Sequence, residues 1–146
     1  VVNKNNQLLA EEELTDISDL RALAVEFLDN GGGEGEEACD YCQGPGDPKS
    51  SDNPDKAIIS LKNDRETSYK VYIAVQNELV AAYNELRDRE FMRLFPNERM
   101  TFVEANKKYS DPRTSPDEKL RLRPKLSEIK LLFPQKLSEA EPSKTN

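Results

Sequence analysis

The sequence predicts an α+β fold in which two main helices pack on one face of a small mixed β-sheet, with an inserted Gly-rich loop and short extra helices. Three observations lead there. Apolar residues recur at helical spacing in two stretches, Leu20, Leu23, Ala24, Phe27 and Leu28 in the first and Tyr72, Val75, Leu79, Val80, Tyr83 and Leu86 in the second. Short apolar runs, of which Ala57–Asn63 is the clearest, read as strands beside them. Helices separated by single strands in a chain of 146 residues favour a helical layer over a sheet, within one domain spanning 1–146.

Taken in order, Val1-Val2 and Leu8-Leu9-Ala10 read as two short strands around the turn Lys4-Asn5-Asn6-Gln7. Thr15 or Asp16 is placed to cap the first helix, which ends at Asn30-Gly31. Residues 31–56 hold all six glycines with Pro45, Pro48 and Pro54, which excludes regular structure over most of the stretch and predicts a long, mobile loop. Ile58-Ile59 in the next strand suggests a central, well-covered position. Thr67 or Ser68 caps the second helix, which runs to about Leu94 before Pro96. Thr101 with Glu104, and Ser115-Pro116-Asp117-Glu118, are capping signatures that open short helices within a basic insertion, 97–125. Leu126, Ile129, Leu132 and Phe133 form an apolar stripe on the last helix. Gln135–Glu141 then returns as an edge strand that Pro142 ends, leaving 143–146 as a flexible tail. The expected helix-on-sheet core is Leu20, Leu23, Phe27, Ile59, Leu61, Val75, Leu79 and Leu86.

Charge narrows the range of partners. The chain carries a net −7, and residues 1–64 hold 5 basic against 15 acidic side chains. Nucleic acid is therefore not an expected partner, because phosphate binding draws on clustered Lys and Arg. With no histidine in the sequence, the common general base and the Ser-His and Cys-His nucleophile pairs are missing, so a binding protein is expected rather than an enzyme, and no cofactor. No apolar run approaches the roughly 18 residues that span a bilayer. Val1 is not an initiator Met, and Val1-Val2 reads as the tail of a strand, so the chain is expected to continue upstream.

Cys39-Asp40-Tyr41-Cys42 is the one local constellation with chemical potential. Paired thiols at this spacing form a disulfide, stay free, or supply half of a zinc or redox site. The zinc reading lacks two ligands, and the redox reading lacks a helix starting at the first cysteine. The acidic runs Glu11-Glu12-Glu13 and Glu34, Glu36, Glu37 lack the alternating oxygen ligands of a calcium loop and read as solvated surface, so no metal site is expected. Tyr69, Tyr72 and Tyr83 read as helix packing. Gly31–Gly35 lacks the Lys-Ser/Thr of a phosphate loop.

The string from Lys56 through Ser60-Leu61-Lys62-Asn63-Asp64-Arg65, followed by Tyr69–Leu79 and Ala82-Tyr83-Asn84-Glu85-Leu86-Arg87, resembles the ExbD/TolR biopolymer-transport family, in particular ExbD-like proteins of Bacteroidetes. Phe133–Pro142 resembles the same group's terminal strand. The likeness covers about two thirds of the chain and leaves out the Gly/Cys loop and 97–125. It implies a periplasmic domain, anchored to the inner membrane by one transmembrane helix upstream of Val1. It also implies a homodimer, an ExbB-like channel subunit and a TonB-like partner, in a complex that uses the proton gradient to drive outer-membrane transport. The family's proton-carrying aspartate lies in that upstream helix, so no residue here takes its role.

The expected partner-binding surfaces are sheet edges at Leu8, Leu9 and Ala10 and at Lys136, Leu137 and Ser138, where an extended segment adds as a strand. Two other readings stand beside this one. A TolR-like member would bind peptidoglycan in envelope maintenance, and a thiol oxidoreductase would depend on Cys39 and Cys42.

Overall fold

A computed structural model describes residues 8–10, 13–64 and 68–143. Its elements are β1 (Leu8–Ala10), β2 (Glu13–Thr15), α1 (Ile17–Leu28), β3 (Ile59–Asp64), α2 (Tyr69–Leu94), α3 (Phe102–Ser110), α4 (Pro116–Leu132) and β4 (Leu137–Ser143). The fold is α+β. The strands, expected in one mixed sheet, form two separate pairs among the described residues: β1 with β2 antiparallel, and β3 with β4 parallel. The partner of Leu8–Ala10 is thus Glu13–Thr15, a strand with too little alternation to read from sequence. The expected partner Val1-Val2 and its turn lie outside the described residues.

The chain, read as one domain, sorts into two compact units, the described residues of Val1–Ala82 with Lys136–Asn146, and Tyr83–Gln135. The reason lies in α2. Its 26 residues extend about 39 Å at 1.5 Å per residue, whereas the six residues of β3 extend about 20 Å. The first half of the helix covers the ladder, and the second half builds a core of its own.

In the first unit, Leu20 and Ala24 of α1, Leu61 of β3, and Val75, Leu79 and Ala82 of α2 form the buried cluster, with Ile59 and Leu137 packed against it. Ser60, Lys62 and Ser138 lie exposed on the opposite face of the ladder. Helices on one face of a strand pair are as the sequence led us to expect. Three expectations fail, however. Leu23 is 45% exposed, Ile58 is 60% exposed, and Tyr69 is 78% exposed. Ile58 precedes a strand with a single described neighbour, so it does not occupy a covered, central position. Tyr69 is the first residue of α2, where no preceding helical turn screens it. Ser68 provides the expected cap, its hydroxyl accepting from Val71 N at 3.3 Å, while the alternative, Thr67, lies outside the described residues.

In the second unit, Phe91, Phe102, Ala105, Leu122, Leu126 and Ile129 are buried together, so the stretch read as an elaboration has its own core. Both capping signatures operate: Thr101 Oγ1 accepts from Glu104 N and Ser115 Oγ accepts from Glu118 N. Asp88 of α2 also accepts from Val103 N at 3.0 Å, adding a second cap to α3. The fully buried Glu90 carboxylate is held between Arg89 at 2.8 Å and Arg93 at 2.5 Å, which offsets the cost of keeping a charge from water. No helix among the described residues is long and apolar enough to cross a membrane.

An acid-sensitive link joins α4 to the turn before α3. Burial acts to raise the pKa of Glu98, but hydrogen bonds from Arg121 and Lys125 outweigh it and hold the carboxyl below its ordinary 4.5. A depressed folded-state pKa gives stability that is present above the unfolded value and lost as pH falls through the folded one. Asp88 acts in the opposite sense, because burial raises its pKa against the backbone donors Val103 and Phe102, and its protonation in acid relieves a cost. We expect the helical circular-dichroism signal to weaken below about pH 4.5 in the wild type and less steeply in Glu98→Gln. Identical acid limbs would remove Glu98 from the account.

β4 runs through Pro142 to Ser143, one step beyond the expected stop, so Ser143 belongs to the strand, and the rest of the expected tail, 144–146, lies outside the described residues. The pairing passes from Lys62↔Ala140 to Asp64↔Ser143, leaving an extra residue on β4. Such a bulge is a place in a ladder that tolerates a proline without a donor.

Candidate functional site

The β3–β4 ladder presents backbone along both its sides. Ile59 N donates to Lys136 O at 3.0 Å, and Ile59 stands opposite Leu137. In a parallel pair the hydrogen-bonding groups of successive residues point to alternate sides. Ile59 and Leu61 therefore address β4, while the N–H and C=O of Ser60 and Lys62 point away from it, and those of Leu137 point away from β3. No further strand pairs on either side among the described residues. Of the residues expected at edges, Leu137 and Ser138 lie in β4 and Lys136 just before it. The Lys136 ammonium is tied to the backbone carbonyl of Asp55 and to its carboxylate at 3.2 Å. Leu8, Leu9 and Ala10 form β1, a separate pair with β2, so the two expected edges belong to different ladders. The outer side of β3 escaped the sequence reading because Ile58-Ile59 suggested a central strand.

The Gly-rich stretch is built more firmly than its composition suggests. Asn30, 2% exposed, donates through Nδ2 to Asp47 O and Ser51 O at 2.9 and 2.7 Å, and its Oδ1 accepts from Asp47 N at 3.0 Å. Gly32 N and Gly33 N donate to Ser51 O and Asp52 O, Gly44 N donates to Asp29 O, and Gly46 N donates to Asn30 O. Ser51 Oγ donates to the Phe27 carbonyl, and Asn53 donates to Glu37 O. A Cβ on Gly32 would come within 2.3 Å of Asp47 O, and one on Gly44 within 2.5 Å of Asp29 O. Glycine is required at these two places by close approach of backbone. The segment has no regular structure beyond one short turn, as expected, but it folds back onto the end of α1 around one buried asparagine.

Cys39 and Cys42 are joined, their Cα atoms 5.5 Å apart. No helix starts at Cys39, which follows only the short turn Gly35–Glu37. Among the described residues no three His, Cys, Asp or Glu side chains converge in a way that could hold a metal ion. A disulfide closing so short a loop contributes about 2 kcal/mol on the chain-entropy estimate. The double variant Cys39→Ser, Cys42→Ser is expected to lower the free energy of unfolding by that order and to leave partner binding nearly intact. Loss of binding together with stoichiometric zinc in the wild type would reverse this assignment.

No protein-family model, curated protein or solved structure matches the chain.

A cleft of about 400 Å³ opens between α1 and the folded-back segment. Leu23 and Phe27 of α1 and Ile59 of β3 supply its apolar wall, and Glu26 and Asp47 stand in its lining. The sequence reading placed Leu23 and Phe27 in the core because they share the helical spacing of Leu20 and Ala24. That spacing identifies the apolar side of a helix without saying how much of it the fold covers.

Proposed function

We propose that this chain is the periplasmic domain of an ExbD-like subunit in a proton-motive-force-driven inner-membrane complex, acting without catalysis by dimerisation and by binding a TonB-like partner. The likeness of sequence carries the family, and the open β3–β4 ladder carries the mode of binding. Most of the described residues in the strings that carry the likeness, distant in sequence, lie in β3, α2 and β4, where Ile59 stands beside Leu137. An extended partner segment adds along a free side of this ladder, gaining backbone hydrogen bonds with little demand on its sequence. A two-stranded ladder is marginal by itself, so a third strand stabilises it as well as using it.

Amide hydrogen exchange with and without a periplasmic TonB segment tests the mode directly. Protection is expected at Ser60 and Lys62 if the segment adds to β3, or at Leu137 if it adds to β4. Ser60→Pro removes an outward donor without touching the β3–β4 bonds, and Leu137→Pro does the same on the other side. One of them is expected to weaken binding at least tenfold, whereas Ser138→Ala changes it little. Protection confined to a helix face would exclude strand addition.

A further inference from the structure

We propose that the cleft between α1 and the segment 44–51 is a side-chain seat that selects an extended partner segment carrying an aliphatic residue flanked by Lys or Arg. The inference rests on the strand-addition reading and names the partner chemistry that such a site would accept. Residues paired across a ladder direct their side chains to the same face. Ile59 faces α1 and α2 and also lines the cleft. A residue added opposite Ile59 on the outer side of β3 would therefore send its side chain to the cleft's face, with neighbouring strands about 4.8 Å apart.

The volume of about 400 Å³ exceeds the needs of one aliphatic side chain, and the 45% exposure of Leu23 marks apolar surface left uncovered at its rim. The charged side chains of its lining, Glu26 and Asp47, are acidic, while Lys49 and Lys56 line the adjoining pocket that shares Phe27, Asp47 and Ser50 with it. From Asp16 to Lys56 the sequence holds 11 acidic side chains against three basic ones, of which Arg21 is paired with Glu78 and Lys56 with Glu37. An apolar seat in such a field attracts a cationic segment and repels an acidic one. The seat is also shaped in advance, since the bonds of Asn30 hold Asp47 in place within the single chain.

The experiment is selection of a phage-displayed library of random twelve-residue peptides on the whole chain, followed by fluorescence polarisation with the enriched peptides. Enrichment of aliphatic residues flanked by Lys or Arg is expected, with binding at least tenfold weaker to Leu23→Asp and to Glu26→Lys. Both side chains are exposed, and Leu23→Ser serves as a milder variant if circular dichroism shows that Leu23→Asp has lost helix. Peptides that lose binding to Ser60→Pro but bind both cleft variants as well as wild type would overturn the seat and leave strand addition standing. Peptides that keep binding to Ser60→Pro but lose it to the cleft variants would support the seat and remove strand pairing at β3. Enrichment of acidic sequences, or no enrichment, would overturn the inference outright.

Discussion

Replacing Leu79 with Ala is expected to cost the first unit about 2 to 5 kcal/mol, the range found when a fully enclosed leucine is truncated. Leu79 is 3% exposed and belongs to the cluster in which α1, α2 and β3 meet. The lost methyl groups leave a void that two helices and a short ladder fill only in part. Leu23→Ala provides the contrast, since a side chain 45% exposed in the same unit loses much less on truncation. Urea denaturation of the two variants gives the comparison, with the shift in midpoint at unchanged slope as the measure. Equal shifts would mean that the cluster does not hold the unit together.

Asn30→Ala is expected to cost about 2 to 4 kcal/mol, because an unsatisfied buried polar group costs about 1–3 kcal/mol and the change removes three hydrogen bonds together. Asp47 N would lose its bond to the side chain, while Asp47 O and Ser51 O keep donors from Ser50 N and Gly32 N. Asn30→Asp is expected to fare little better, since a carboxylate accepts from Asp47 N but donates to neither carbonyl. Proteolysis provides a second reading of the same event. Residues 44–51 should become cleavable in Asn30→Ala under conditions that leave the wild type intact. A variant with native stability and native resistance would show that the glycine contacts suffice without the asparagine.

The elements that sequence revealed are those whose cause is local. α2 was legible from its apolar spacing and from Pro96, and α3 and α4 from Thr101 and Ser115, which satisfy orphan donors within one turn, and from Pro116, which has no N–H to satisfy. What depends on distant residues was less accessible. Nothing around Asn30 announces that its amide will bond to Asp47 and Ser51, because glycines that permit close backbone approach look the same as glycines in a slack chain. Nor does the run Ile58-Ile59 reveal that β3 pairs on one side only among the described residues, since a strand's composition reflects the cover on its faces more than the number of its neighbours. At the candidate site, the β4 edge was legible from a short terminal strand. The β3 edge and the cleft required knowing which part of α1 stays uncovered.

The parallel register of β3 and β4 also fixes an order of events. Ile59 and Leu137 are 78 positions apart, and all of α2, α3 and α4 lies between them. Parallel partners this distant close late, because the entropy of a long loop is surrendered before the pairing returns anything. The α3–α4 unit, whose buried contacts run from Phe91 to Ile129, closes through shorter loops than the β3–β4 pairing does. We expect pulse-labelled refolding to protect its amides first and those of Ile59 and Leu61 last. Until Leu137 arrives, β3 has no strand beside it among the described residues, and β4 decides when that side is closed.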